Sequence, residues 1–162
     1  MKRILFIGQA MPAFKRHPHH WPSLNKWLYS IGLTDSDIQG NFKYSAMVDY
    51  FPGYKNKSHR IPDEDEIKKE FERLSKTIKE FNPDLIVPIG RISIAHCLDK
   101  KSILLDKYIG NEYKAKAYNI LDKDIIVIPL PHPSGASTWR YKEKNKVLLE
   151  RALNRLKDSL SK

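Results

Sequence analysis

The chain has 162 residues, of which 41% are hydrophobic, enough apolar material to fill the core of one compact domain. Lys and Arg number 29 against 19 Asp and Glu, so the net charge of +10 at pH 7 would attract a polyanion such as nucleic acid, although Lys- and Glu-rich surfaces also occur in thermophilic proteins that do not bind DNA. The single cysteine, Cys97, excludes an internal disulfide, a zinc knuckle and a four-cysteine cluster, and no apolar run approaches the length of a membrane span.

The N-terminal half of the chain predicts two strands and two helices. Residues 4–7 form a nearly continuous apolar run, typical of a buried strand, and the weakly patterned stretch Phe42–Val48 is a candidate for a second strand. Between them, a short helix is expected from about residue 23 to 30, with Gly32 as its C-terminal stop. After residue 63 a capping box and apolar residues at three- and four-residue spacing predict an amphipathic helix that extends to residue 81.

The C-terminal half predicts two more strands, at residues 85–89 and 125–128, and a final helix. That helix has one apolar stripe, which consists of Leu149, Leu153, Leu156 and Leu160. Strands that alternate with helices imply right-handed crossovers. We therefore expect a single α/β domain over residues 1–162, with an open, mainly parallel four-stranded sheet and helices on both faces.

Each predicted strand is followed by a loop of unusual composition, at residues 8–12, 49–53, 90–91 and 131–137. In an open parallel sheet, ligands bind beyond the carboxyl ends of the strands, where these loops converge. Gly and Pro allow sharp turns that expose backbone amides, and such amides can hold a small polar ring. The sequence therefore predicts a binding site at this edge of the sheet.

The first and last of these loops resemble two motifs of the uracil-DNA glycosylase superfamily. Residues 8–12 (Gly-Gln-Ala-Met-Pro) resemble the first motif, which is Gly-Gln-Asp-Pro in one branch and Gly-Glu-Ala-Pro in another, and residues 132–134 match its His-Pro-Ser motif. Residues 45–53 and 82–90 are similar in layout to the uracil-reading segment and the central strand, so the resemblance covers most of the chain. It implies a monofunctional DNA glycosylase that hydrolyses the N-glycosidic bond of uracil or another deaminated base and leaves an abasic site.

Several positions depart from the family pattern. Asp49 stands where cluster-containing branches have one of their four cysteines, so the resemblance implies the branch without an iron-sulfur cluster and no cofactor. Ala10 occupies the position of the water-activating aspartate, and Ser45 that of the asparagine that reads uracil. Ala136 stands where a leucine often fills the vacated base stack, which leaves residues 139–140 as alternative wedges.

Three residues are predicted to be catalytic. By analogy with the family, His132 donates a hydrogen bond to the departing base, which gains negative charge as the bond breaks; its position between two prolines suggests a fixed imidazole rather than an exposed loop histidine. Gln9 could offer its amide to the base and its side chain to a water molecule, or be an ordinary turn residue. Asp49 could orient water, or merely cap a strand end.

The predicted substrate-binding residues lie in the same loops. Phe14 is the first candidate for stacking on the extruded base, with Tyr50 and Trp21 behind it as residues that a core or lid role would also explain. Ser134 could bind a phosphate, and Ser137 could instead cap the final helix. The complete set is Gly8, Ala10, Phe14, Ser45, Tyr50, Ser134, Gly135 and Ser137.

Other interpretations remain open at this point. Histidines at positions 17, 19 and 20 suggest a metal site, but a Pro-containing loop without a nearby carboxylate favours a solvated segment that contacts phosphates. Ala10 favours a catalytically weak or inactive DNA-binding or damage-sensing module on the same fold. A small-molecule nucleotide hydrolase is a third hypothesis, which the basic charge disfavours. We expect a cytoplasmic monomer whose partner is DNA containing uracil or another deaminated base, with no metal and no membrane association.

Overall fold

The computed structural model of the protein describes residues 1–134 and 138–161, with every side chain in these ranges except that of Ser58. The strands are β1 (Ile4–Ala10), β2 (Phe42–Val48), β3 (Tyr54–Lys55), β4 (Ser58–His59), β5 (Leu85–Pro88), β6 (Tyr113–Ala115) and β7 (Ile125–Val127). The α-helices are α1 (Pro22–Ser30), α2 (Asp35–Asn41), α3 (Glu64–Phe81), α4 (Arg91–Cys97), α5 (Leu105–Tyr108), α6 (Ala117–Ile120) and α7 (Glu143–Leu160), and a 3-10 helix covers Trp139–Tyr141.

Five strands form the main sheet, in the order β2-β1-β5-β7-β6. The pairings β1 with β2, β1 with β5 and β5 with β7 are parallel, whereas β6 runs antiparallel to β7. An isolated parallel bridge between Ile89 and Leu130 extends the pairing beyond the ends of β5 and β7. The carboxyl ends of β1, β2, β5 and β7 therefore meet at one edge of the sheet, as expected for parallel strands.

Alternate residues of β1 pack into different layers of the core, as the two-residue period of a strand requires. Ile4 and Phe6 belong to a buried cluster with residues of α1, α2, α5 and α7, whereas Leu5 and Ile7 belong to a second cluster with residues of α3 and α6. Both faces of the sheet are thus covered, which explains why the strands are continuous apolar runs rather than alternating patterns.

The α/β fold and its mainly parallel sheet are confirmed, but the predicted number of four strands was one too low. The additional strand, β6, is a three-residue antiparallel edge strand whose residues are half-buried or exposed, so it has no apolar run to reveal it. The hairpin of β3 and β4 was also not predicted, because each of its strands has only two residues.

Helix α3 confirms the predicted capping box. The Asp63 carboxylate accepts a hydrogen bond from the amide of Glu66, while the Glu66 side chain accepts one from the amide of Asp63. The helix ends at Asn82, which adopts the left-handed conformation and donates its amide to the carbonyl of Ile78. No helix within the described parts of the chain is both long enough and apolar enough to cross a membrane.

Candidate active site

A cavity of about 570 Å³ opens at the carboxyl edge of the sheet. Its walls come from the loop after β1, the start of α1, the middle of β2, the segment from Phe51 to Pro62, and the loop after β7. Predicted site residues that line it are Gln9, Ala10, Phe14, Ser45, His132 and Ser134. The loops after three parallel strands therefore do converge on one cavity of a size suited to a small ligand.

His132 enters this cavity from the loop that follows β7. The Ser134 amide donates a hydrogen bond of 3.1 Å to Nδ1 of His132, and the Arg140 guanidinium donates one of 2.6 Å to the Pro133 carbonyl. On the other side the Trp21 ring lies 6.1 Å from the imidazole, centroid to centroid. The imidazole is thus partly buried and fixed from two sides.

The hydrogen bond to Nδ1 determines which nitrogen of His132 carries the proton. Because Nδ1 accepts from a backbone amide, the proton of the neutral ring resides on Nε2, which is then a hydrogen-bond donor. Burial lowers the pKa of His132 below its ordinary value of 6.5, and the proximity of His59 and of the Arg140 guanidinium lowers it further. The neutral donor form is therefore favoured at physiological pH.

This lowered pKa predicts how the protein responds to acid. The unfolded chain protonates His132 at its ordinary pKa of 6.5, whereas the folded chain resists protonation, so this residue makes the fold less stable as the pH falls below 6.5. Protonation of Nδ1 would also break the hydrogen bond with the Ser134 amide. If His132 acts as a neutral donor in a reaction, the single-turnover rate should stay level as the pH falls to 6.5 and decline only below it. A His132→Gln control should lack that decline. If the variant shows the same decline as wild type, the decline belongs to another titrating group.

Ser45 lies on β2 and is only 6% exposed. Nη1 of Arg73, on α3, donates a hydrogen bond of 3.2 Å to Oγ of Ser45. Nη2 of the same guanidinium donates to the carbonyls of Ala46 and Met47, at 2.6 and 3.2 Å. Because Arg73 supplies a donor to Oγ, the hydroxyl of Ser45 keeps its own proton for donation to another acceptor.

The first loop is shaped by two close approaches to glycine. A β-carbon at Gly8 would lie 2.9 Å from Cη2 of Trp21, so glycine allows the indole to lie against β1. Gly90 has a φ of +88°, and a β-carbon there would lie 2.8 Å from Oε1 of Gln9. That same Oε1 accepts the amide of Ile92 at 3.2 Å, so the side-chain oxygen of Gln9 contacts the start of α4, and the predicted role of Gln9 toward a water molecule stays a prediction.

Three of the predicted site residues, Gly8, Asp49 and Tyr50, are not among the described lining residues of the cavity. Asp49 is exposed, and its amide donates a hydrogen bond of 2.6 Å to Glu70. Its carboxylate is near Lys15, whose pKa burial lowers and Asp49 raises. The Tyr50 hydroxyl donates to Glu66 at 2.5 Å. The Tyr50 hydroxyl thus engages Glu66 at the surface, whereas the Asp49 carboxylate lies near Lys15, a residue that lines the cavity.

Comparison with known proteins places this chain in a family. The family described as the uracil DNA glycosylase superfamily matches residues 1–157. The protein belongs to that superfamily. A type-4 uracil-DNA glycosylase from Saccharolobus solfataricus is 28% identical to it over 158 residues, an alignment that covers 98% of this chain and 71% of the relative. Superfamily membership indicates a hydrolase of the DNA glycosylase class.

The residues of this superfamily member do not suit an iron-sulfur cluster. Such clusters are usually held by four thiolates, whereas the chain has only Cys97. Cys97 is 2% exposed within the core, and burial raises the pKa of its thiol, which disfavours the thiolate that a metal requires.

The histidines of the loop after β1 make contacts with the backbone. Nδ1 of His20 accepts the Arg16 amide at 2.9 Å, and Nδ1 of His17 accepts the His19 amide at 3.2 Å. Nε2 of His19 bonds the Phe42 carbonyl at 2.7 Å, which ties the loop to the start of β2. Over residues 1–134 and 138–161, no three His, Cys, Asp or Glu side chains are grouped as metal ligands.

Sequence reasoning missed several lining residues. Tyr44 is buried beside Trp21, and its hydroxyl donates to Oδ1 of Asn25 at 2.5 Å. The wall from Phe51 to Pro62 begins in the predicted loop at residues 49–53, but its continuation through the β3–β4 hairpin to Pro62 was missed. Gly135, Ser137 and the wedge position Ala136 lie outside the described residues, so their predicted roles stay predictions.

Proposed function

We propose that the protein is a monofunctional DNA glycosylase that hydrolyses the N-glycosidic bond of uracil, or of another deaminated base, and leaves an abasic site. The observation that carries this proposal is the imidazole of His132, which the Ser134 amide fixes at the cavity with Nε2 left to donate, in a chain of the uracil DNA glycosylase superfamily. Uracil and other deaminated bases have carbonyl oxygens to which such a donor can form a hydrogen bond.

Cleavage of the glycosidic bond leaves negative charge on the base, shared among its ring nitrogen and carbonyl oxygens. A donor aimed at one of these oxygens is worth more in a partly buried site than in water, because the surroundings screen the charge less. His132 is partly buried, and its Nδ1 already accepts the Ser134 amide, so Nε2 is left to donate to such an oxygen. We assign Nε2 of His132 to the oxygen next to the glycosidic nitrogen, O2 of uracil.

Ser45 supports the recognition of a carbonyl group on the far side of the base. With Arg73 donating to one lone pair of its Oγ, the hydroxyl can donate its proton to O4 of uracil, a hydrogen bond that the amino group of cytosine at the same position cannot accept. Serine thus performs in this chain the discrimination that an asparagine side chain performs at the matching position of other branches. The substrate would be the deaminated base and not its parent.

The attacking water lacks an acidic partner among the described lining residues of the cavity, none of which is Asp or Glu. Ala10 lines the cavity at the position of the missing aspartate, and Asp49 is not among the described lining residues. Catalysis would therefore depend mainly on stabilising the leaving base, while water enters from solvent without a dedicated base. This arrangement predicts a slower enzyme than one that has both elements.

Phe14 is proposed to stack on the extruded base. It lines the cavity with 67% of its surface exposed, beside the ring of His20 and beneath the guanidinium of Arg16. Phe14→Ala should weaken capture of the flipped base by about 5- to 150-fold, since stacking is worth about 1–3 kcal/mol per base, without changing the melting temperature. Single-turnover rates against enzyme concentration measure this, and Phe14→Trp should retain activity. An equal fall in stability would make Phe14 a structural residue.

The direct test uses oligonucleotides that contain uracil, hypoxanthine or a thymine mismatch, in single and double strands, followed by alkaline cleavage of abasic sites. Uracil is expected to be removed, with the same rate in EDTA, because the proposed residues require no metal. Cleavage without alkali would contradict the monofunctional assignment. Activity that EDTA abolishes and zinc restores would return the histidines at 17, 19 and 20 to consideration as ligands.

A second candidate function is favoured by Ala10 and by the lack of an acid among the described lining residues. The protein would then be a catalytically weak or inactive DNA-binding or damage-sensing module on the same fold. Binding of uracil-containing DNA without release of the base, even after prolonged incubation with excess enzyme, would support this candidate. The two functions differ only in the chemical step, so a binding assay alone does not separate them.

A further inference from the structure

One wall of the cavity ends in an exposed aromatic cluster, which consists of Phe51, Tyr54 and His59. Tyr54 is 64% exposed, and its ring packs edge-on against Phe51 and His59, with centroid distances of 5.0 and 5.4 Å. Phe51 and His59 also contact each other, at 5.3 Å. The Tyr54 ring is therefore supported by two neighbours and still presents most of its surface to solvent.

The hairpin that carries Tyr54 is held firmly in place. Its turn residues, Asn56 and Lys57, both adopt positive φ angles, of 51° and 66°, as a tight two-residue hairpin turn requires. Arg60 clamps the base of the hairpin, because its amide donates to the Gly53 carbonyl and its Nε to the Pro52 carbonyl, each at 2.8 Å. A binding surface held in this way loses little freedom when a ligand binds.

Arg60 is itself neutralised, whereas the lysines of the hairpin are not. Two hydrogen bonds of 2.6 and 2.9 Å join its guanidinium to Glu66, and together with Tyr50 this contact lowers the pKa of Glu66 to about 2. Lys55 and Lys57 are exposed and form no ion pair with the described residues. The free positive charge of this wall thus lies at the hairpin turn, on Lys55 and Lys57, which follow Tyr54 in the chain.

An exposed aromatic ring flanked by free cations is the combination that binds single-stranded nucleic acid, in which bases stack on rings and phosphates pair with lysines. We propose that the β3–β4 hairpin binds the single strand beside the target nucleotide, with an unpaired neighbouring base on Tyr54 and adjacent phosphates on Lys55 and Lys57. In an intact duplex that neighbouring base stays stacked within the helix and cannot reach Tyr54. The inference rests on the proposed function for its location and implies a preference for single-stranded or locally opened DNA.

The test uses fluorescence anisotropy with a labelled oligothymidylate that contains no uracil, and with a uracil-free duplex of the same length. Tyr54→Ala should bind the single strand about 5- to 150-fold more weakly than wild type, and the duplex nearly as well. Tyr54→Trp should keep the affinity. Tyr29→Ala is a matched control, because Tyr29 is 45% exposed on α1 and is not among the described lining residues. It should bind as wild type does.

The salt dependence of single-strand affinity separates base stacking on Tyr54 from the phosphate contacts of the lysines. Loss of one phosphate contact on a single strand lowers the slope of log K against log salt by about 0.7, so Lys55→Ala and Lys57→Ala should each reduce the slope while Tyr54→Ala leaves it unchanged. Wild-type affinity of a folded Tyr54→Ala for the single strand, or an equal loss on the duplex, would overturn the inference. Because the probes contain no uracil, an inactive enzyme that binds through Tyr54 would contradict the proposed function only.

Discussion

Replacement of His132 by alanine is expected to slow excision of uracil by about 100- to 1000-fold in single-turnover assays, the usual cost of losing one donor to a developing negative charge. Binding of uracil-containing DNA should change far less, because the carbonyl oxygen gains most of its charge only as the bond breaks. Nε2 can act as this donor since the Ser134 amide occupies Nδ1. Rapid mixing with excess enzyme, together with an equilibrium binding measurement, separates the two effects.

His132→Gln is the informative control, since an amide side chain retains a donor without the charge change of an imidazole. It should recover part of the lost rate and show no dependence on pH near the ordinary histidine pKa. Arg140 must stay intact in these variants, because it fixes the same loop through the Pro133 carbonyl. Nearly normal cleavage by His132→Ala would refute the assigned role, and a parallel loss of folding would make His132 structural.

Substitution of Ser45 is expected to produce the second large effect, and one that depends on the base. Ser45→Ala leaves O4 of uracil without its partner in a buried site, which costs about 1–3 kcal/mol, or about 5- to 150-fold in rate. The same variant should excise 2-pyrimidinone, a base that lacks O4, at nearly the wild-type rate. Single-turnover rates for the two bases in the same strand give the comparison, in which wild type should favour uracil and Ser45→Ala should not.

Arg73 is the positioning residue in this account, because it reaches the base only through Ser45. Arg73→Lys retains a charged donor and should preserve much of the preference for uracil over 2-pyrimidinone, whereas Arg73→Met should reduce that preference. Loss of the carbonyl contacts to Ala46 and Met47 alone would lower stability and both rates together. An unchanged ratio of the two rates in Arg73→Met would show that Arg73 supports β2 and does not direct the Ser45 hydroxyl.

The elements that the sequence predicted well are those with strong local signals. The buried runs of β1 and β5 and the capping box of α3 depend on residues close together in the chain, and β2 matches its predicted bounds. Strand β6 and the β3–β4 hairpin were missed because two or three residues carry no periodicity. Their positions depend on β7 and on the Arg60 clamp, which are tertiary contacts.

The site was predictable to the extent that strand-end loops converge. Positions 9, 10, 14, 45, 132 and 134 do line one cavity. What the sequence could not show is the direction of individual side chains, since Gln9 turns to the Ile92 amide and Tyr50 to Glu66. The contact of Arg73 with Ser45 could not be predicted either, because the hairpin separates α3 from β2 in the chain and only folding brings the guanidinium to Ser45.

The central claim is that the cavity breaks a glycosidic bond instead of merely holding a base. The most direct measurement is chromatographic detection of free uracil after incubation of the wild-type protein with a single-stranded oligonucleotide that contains one uracil. The account predicts that free uracil accumulates in equal amount with abasic sites and that the strand remains uncut until alkali is added. Tight binding of the oligonucleotide with no free uracil, under excess protein and long incubation, would contradict it.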